Sequence, residues 1–215
     1  MICYSIYNNK TTHKGGIMKA NKKGIKKGSK VKVEPVRKIK DIKSISKLLS
    51  DKPRDLLLWT MGINNGLRAS DLVTIKVAQV QDLKPGEVLN IVESKTGKDN
   101  VLVINKPVYK ALEGFLEVVQ PGPQEYLFQS RKGNGHITSQ SVGRLVKTWC
   151  KVVNLKGSYG AHTLRKTWGY HQRVNHGVGF EILCKRYNHS SPSITMGYLG
   201  IENKEDRDVL MNEIG

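Results

Sequence analysis

Apolar side chains first fall into a regular spacing at Ile42, Ile45, Leu48 and Leu49, which predicts a helix beginning near Asp41. "SDKPRDLLLWTMGINNG" predicts a second helix, with Pro53 in its first turn and Gly66 at its end. "ASDLVTI" restarts helical spacing with Ser70 as the expected cap. The period then changes from helix to strand. "EVLNIVES" and "DNVLVIN" read as two strands, and "KTGKD" between them is a hairpin signal. Helical spacing returns in "KPVYKALEGFLEVV", through Val108, Leu112, Phe115, Leu116 and Val119. It continues in "TSQSVGRLVKTWCKVV", through Val142, Leu145, Val146 and Trp149. "GAHTLRKTWGY", "FEILCKRYN" and "SPSITMGYL" complete the set, the last with Ser191 as cap and Pro192 in the first turn. No internal repeat is visible. The expected class is mainly α with a small β-hairpin, an α+β domain.

Charge adds a second part to this picture. The chain of 215 residues carries a formal charge of +18, and residues 1–40 hold twelve Lys or Arg against the single acid Glu34. "NKKGIKKGSKVKVEPVRKIK" is Lys/Gly-rich, so residues 1–40 are expected to form a flexible basic arm. Residues 41–202 would then be the folded domain, and residues 203–215 an acidic tail bearing Val209, Leu210, Met211 and Ile214. So basic a chain should seek polyanions, nucleic acid before acidic membrane. Cys3, Cys150 and Cys184 are too few and too scattered for a disulfide framework or a paired-Cys zinc motif. No apolar run approaches the roughly 18 residues of a membrane span, and "MICYSIYNN" is a poor signal peptide. A cytoplasmic location follows as the expectation, nucleoid-associated in a prokaryote or in the host cell of a phage.

Single residues are ambiguous on their own. Arg68 in "GLRASDL" could grip a phosphate, or form a surface pair with Asp71. Lys95 and Lys98 flank the hairpin turn, where a lysine is ordinarily solvated but can also reach into a nucleic-acid groove. His162 and Arg165 stand three apart near a helix start and share a face, where free N–H groups favour an anion. Alone, His162 reads as a capping or core histidine, His189 as a loop residue and Tyr198 as packing. The spacings of His162, His171, His176 and His189 match no zinc signature.

The order Arg68, Lys95, His162-x-x-Arg165, His189, Tyr198 resembles the catalytic domain of the tyrosine recombinases, the phage integrase family. The strings that carry the likeness are "GLRASDL", the lysine hairpin, "HTLRKTW" and "NHSSPSITMGY". That resemblance implies DNA breakage and rejoining through a covalent 3′-phosphotyrosyl link. Tyr198 would be the nucleophile, Arg68 and Arg165 the phosphate clamp, and His162 the acid–base group. Lys95 would be the acid for the leaving 5′-oxygen, with Lys98 as its fallback, and His189 a donor to the phosphate. No cofactor or metal is implied, since cationic side chains take the place of a divalent ion. The implied partners are double-stranded DNA and further copies of the chain, as dimers or tetramers on it, with DNA-bending accessory proteins as candidates.

Two departures stand out: Gly197 sits where many members carry arginine, and Lys166 where many carry histidine. Most members also have a helical core-binding domain ahead of the catalytic one; here the basic residues 1–40 stand ahead of it, so either this arm substitutes for that clamp or the chain is a short integrase or a truncated fragment. A cleavage-inactive DNA-binding regulator and a type IB topoisomerase remain as alternatives. The tail is expected to dock on a neighbouring protomer or to pack on its own domain.

Overall fold

The computed structural model describes residues 32–201 together with Met211 and Glu213. Most of the basic arm and nearly all of the acidic tail therefore lie outside the described residues. The helices are α1 (Ile39–Leu48), α2 (Pro53–Asn65), α3 (Ala69–Leu72), α4 (Lys106–Val119), α5 (Ser139–Val152), α6 (Ala161–His176), α7 (Phe180–Tyr187) and α8 (Pro192–Leu199). A 3-10 turn, Val77–Gln79, and two strands, β1 (Val88–Val92) and β2 (Asp99–Val103), separate α3 from α4.

Local chemistry explains most boundaries. Asn105, Thr138 and Ser191 cap α4, α5 and α8, each accepting a backbone N–H from its own first turn. Gly66 ends α2 with φ of 62°, and any side chain there would collide with the Trp168 ring. Two expectations change. Ser70 is not the cap of α3; Arg68 occupies that place, and the Ser70 hydroxyl turns to Asp71 Oδ1 at 3.2 Å. Residues 32–40 do not belong to a loose arm. Pro35 and Val36 are buried, and Val36 N–H donates to Thr167 Oγ1 at 2.9 Å. This apolar pair was masked by the lysines around it, and it straps the chain onto α6 before α1 begins at Ile39.

The main core is built around α2, with Leu57, Leu58, Trp59 and Met61 fully buried and Trp59 edge-on to Trp149 of α5 at 6.3 Å. The hairpin is antiparallel with Val88 opposite Val103 and Val92 opposite Asp99. Leu89, Ile91 and Leu102 face the core, whereas Val88, Val92 and Val103 face outward, as the two-residue period requires. Helices α7 and α8 form a separate small cluster of Phe180, Leu183, Tyr187 and Leu199 with Trp168 and Tyr198 against it. Gly169 makes this cluster possible, because a methyl group there would occupy the space of the Tyr187 hydroxyl. Among the described residues no helix is long and apolar enough to cross a membrane.

Candidate active site

Three parts of the fold bring candidate residues to one pocket. The α2–α3 corner supplies Arg68, the hairpin turn supplies Lys95, and the first turns of α6 supply His162 and Arg165. With Ser70, Ser139 and Ala161 these line a hollow of about 180 Å³. Its size and its cationic walls suit a phosphate group. A larger hollow of about 690 Å³ lies between the outer face of the hairpin and α7, lined by residues such as Asn90, Asp99, Ile182 and Lys185. None of the six candidate residues lines it, whereas four of them line the smaller pocket.

Arg165 is almost fully buried. Its Nη2 donates to the Tyr187 carbonyl at 2.8 Å, while the Tyr187 hydroxyl donates to the Arg165 carbonyl at 2.7 Å. The Tyr187 ring lies 4.6 Å from the guanidinium carbon. Its Nη1 has no hydrogen-bond partner among the described residues. Burial, followed by the nearby Arg68 charge, lowers its pKa from 12.5, but an arginine so held remains charged.

Glu93 faces both arginines. Its Oε2 lies 2.5 Å from Arg68 Nη1 and its Oε1 lies 3.9 Å from Arg165 Nη1. The side chain is 0% exposed. Burial on its own would raise its pKa, but bonds from Thr96, Arg68, Asn100 and Asn188 outweigh it and hold the carboxyl at about 2. Asp71 does not pair with Arg68. It is buried, and its Oδ1 accepts from Ser94 N and Ser94 Oγ at 3.1 and 2.7 Å, tying the hairpin turn to α3.

Tyr198 comes from α8. Its hydroxyl is 3.3 Å from His162 Nδ1, and its ring packs 5.2 Å from His189 and 5.4 Å from Tyr187. Burial pushes the phenol up to about 12 against the opposing pull of Arg165 and Arg68. His162 shifts the other way: desolvation first, then Arg165, Lys166, Arg68 and Lys95, hold it below 6.5. His189 is likewise lowered by burial and then by Arg165 and Arg68, and its Nδ1 meets Thr195 Oγ1 at 2.9 Å. Lys166 is buried with Nζ 4.6 Å from the Tyr198 ring centroid, and desolvation ahead of Lys32 and Arg37 brings it down to about 8.

Of the six residues singled out in the sequence, Arg68, Lys95, His162 and Arg165 line the pocket, whereas Tyr198 and His189 do not: Tyr198 meets it through His162, and His189 packs on the Tyr198 ring. Lys98 points elsewhere and contributes its carbonyl to Glu93 N–H at 2.9 Å. His171 is structural, its Nε2 2.9 Å from the Val36 carbonyl. Glu93 and Tyr187 escaped the sequence reading. Glu93 had a signal: it continues the inward series Leu89, Ile91, where a carboxylate demands a buried partner. Among the described residues no three His, Cys, Asp or Glu are grouped as metal ligands.

Residues 35–205 match the family model described as the phage integrase family. The probable integrase/recombinase YoeC of Bacillus subtilis is 34% identical over 178 residues, 81% of this chain and 93% of that protein. The tyrosine recombinase XerC of Caldanaerobacter subterraneus is 30% identical over 163 residues, 74% of this chain but only 44% of XerC. Other curated relatives are also longer, and the chain spans about half of their length, as with 55% of XerA from Pyrococcus horikoshii. In fold, a crystal structure of XerA recombinase superposes with a TM-score of 0.69 at 19% identity, over 84% of this chain and 67% of that one. A lambda integrase(75–356) dimer bound to a COC' core site gives 0.59 at 18% identity, over 87% and 65%.

Proposed function

Because the chain belongs to the phage integrase family, the tyrosine recombinases, we propose that it cuts and rejoins double-stranded DNA at specific sites through a covalent link between Tyr198 and a 3′-phosphate. The observation that carries this reading is the meeting of Arg68, Lys95, His162 and Arg165 in one phosphate-sized pocket, with the Tyr198 hydroxyl 3.3 Å from His162.

The chemistry follows from the charges. At neutral pH the half-buried Tyr198 is protonated and His162 is neutral, so His162 can accept the phenol proton as the oxygen attacks phosphorus. Negative charge gathering on the non-bridging oxygens meets Arg68 and Arg165, held in place before the reaction by Glu93 and Tyr187. Lys95 protonates the departing 5′-oxygen. When Thr195 donates to His189 Nδ1, the proton of that ring sits on Nε2, free to bond the phosphate. The ester energy stays in the phosphotyrosine, so a 5′-hydroxyl from another strand reverses the step without ATP.

Lambda integrase has been seen as a dimer on a core site and as a tetramer on a Holliday junction. By likeness, this chain would assemble on DNA as dimers and tetramers, in the cytoplasm of a host cell, with DNA-bending proteins as candidate accessories. Its tail beyond residue 202 would dock on a neighbouring protomer, and residues 1–31, with eight lysines and no acid, would hold the DNA backbone.

Incubation with a nicked suicide substrate tests the central reading. A denaturation-resistant protein–DNA adduct should form, survive EDTA and vanish in Tyr198→Phe. Binding without any adduct would leave a DNA-binding regulator, and relaxation of supercoils without strand exchange a topoisomerase. The intact pocket argues against the first.

A further inference from the structure

Glu93 does more than neutralise a buried arginine. Its main chain closes the hairpin turn: its N–H donates to the Lys98 carbonyl at 2.9 Å, and its carbonyl accepts from Gly97 N at 2.8 Å. Its side chain fastens that turn to the phosphate clamp. Oε2 accepts from Thr96 Oγ1 at 2.6 Å while lying 2.5 Å from Arg68 Nη1, and Oε1 accepts from Asn100 Nδ2 at 2.9 Å. Lys95 itself is exposed, and among the described residues its long stem has no bond of its own to aim it. Both of its neighbours are anchored, however, Ser94 to Asp71 and Thr96 to Glu93. A counter-ion alone would need no bonds to the turn. We propose that Glu93 is a positioning residue that builds the Lys95 hairpin and the arginine pair into one unit, so that the proton for the leaving oxygen and the clamp on the phosphate arrive in a single geometry. This rests on the roles assigned to Lys95 and Tyr198 above.

The reaction supplies a direct test. The bond from Tyr198 oxygen to phosphorus forms, the bond from phosphorus to the 5′-oxygen breaks, His162 takes the phenol proton, and Lys95 gives one to the leaving oxygen. With sulfur in place of that oxygen, a 5′-bridging phosphorothiolate, the group departs as a thiolate. A thiol pKa of about 8.5 makes protonation unnecessary. The full chain with Glu93→Gln should form the adduct on the oxygen substrate about tenfold more slowly, the scale of losses when a supporting partner is removed. On the sulfur substrate it should return close to the parent rate. Lys95→Ala should be slower by about a hundredfold on oxygen, and be rescued in the same way.

Equal slowing of Glu93→Gln on both substrates, with Lys95→Ala rescued, would overturn the proposal and confine Glu93 to the arginines or the fold. If Lys95→Ala is not rescued, Lys95 is not the acid and the tie to Glu93 falls with it. An adduct that persists in Tyr198→Phe would sink the nucleophile assignment instead, so the two failures look different. Thermal unfolding checks that Glu93→Gln folds. If it does not, Thr96→Val deletes a single hydroxyl on the exposed turn and should show a smaller, sulfur-rescued slowing; an unchanged rate on oxygen would overturn the proposal.

Discussion

Acidification should remove a definite share of the stability of this domain through Glu93. The carboxyl is held at about 2, against 4.5 for a free side chain: burial opposes ionisation, but the bonds from Thr96, Arg68, Asn100 and Asn188 outweigh it. At about 1.4 kcal/mol per pH unit, the gap between 4.5 and about 2 amounts to about 3 kcal/mol. A folded pKa below the unfolded one gives stability that is complete above pH 4.5 and is lost as pH falls toward 2. About 2 kcal/mol of it should be gone by pH 3. Glu93→Gln has no such proton to bind. It should be less stable than the parent at pH 7 by about 3 kcal/mol or more, since the buried Arg165 and the half-buried Arg68 then lose their counter-ion. That deficit should shrink by about 2 kcal/mol between pH 7 and pH 3. Urea unfolding followed by tryptophan fluorescence, in both proteins at several pH values, measures it. Other carboxylates cancel in the difference. A deficit that stays constant with pH would refute the reasoning, because it would mean that Glu93 is equally ionised in the folded and unfolded chains.

Three further outcomes are expected. Adduct formation needs neutral His162, whose pKa is lowered by desolvation and then by Arg165, Lys166, Arg68 and Lys95; the acid limb of the rate profile should have its midpoint below pH 6.5 and move upward in Lys166→Met. A midpoint at or above 6.5 in the parent would count against His162 as the base. Gly197 is exposed within α8 with nothing inside 4 Å of an added Cβ, so Gly197→Ala should stabilise by about 0.5–1 kcal/mol and raise the calorimetric Tm by about 2–4 °C. Deleting residues 1–31, which carry eight lysines, should weaken DNA binding across sequences and flatten its dependence on salt, without altering thermal stability. Extending the deletion through Val36 should also cost about 2 kcal/mol in urea unfolding, since that side chain is 1% exposed.

Periodicity made the architecture legible because each helix buries one face against α2 or a neighbour, and the hairpin buries Leu89, Ile91 and Leu102. Short-range bonding was harder to read. Ser70 looked like a cap because its residue type is a good one, yet the α2–α3 corner places Arg68 there, and its hydroxyl serves Asp71. Composition misplaced residues 32–40 because averaging over lysines hides the two apolar side chains that hold the strap to α6. The six candidate residues stand out in the sequence as an ordered set, while no single one of them is persuasive alone. Their supports are a different matter. Tyr187 is an ordinary apolar position on α7 until it meets Arg165 across 22 residues of chain. Such a contact has no local signature, whereas Glu93 announced itself by breaking an apolar alternation.

Position in the two cores separates the chemical groups. Arg68, Lys95 and His162 stand on elements of the main core or are tied to them by Asp71 and Glu93. Tyr198 belongs to the small cluster of α7 and α8, whose few buried side chains meet the rest of the domain mainly at α6, with Arg186 of α7 also donating to Asn65, Asn100 and Val101. A cluster this small unfolds or shifts at lower cost than the main core. Arg68 of the proposed phosphate clamp thus stands on the main core, Arg165 spans the two cores through its bonds with Tyr187, and the proposed nucleophile belongs to the smaller cluster. With Tyr198 as the nucleophile, control over cleavage would fall most readily on α8, where Gly197 lowers the helix propensity of the element that carries it.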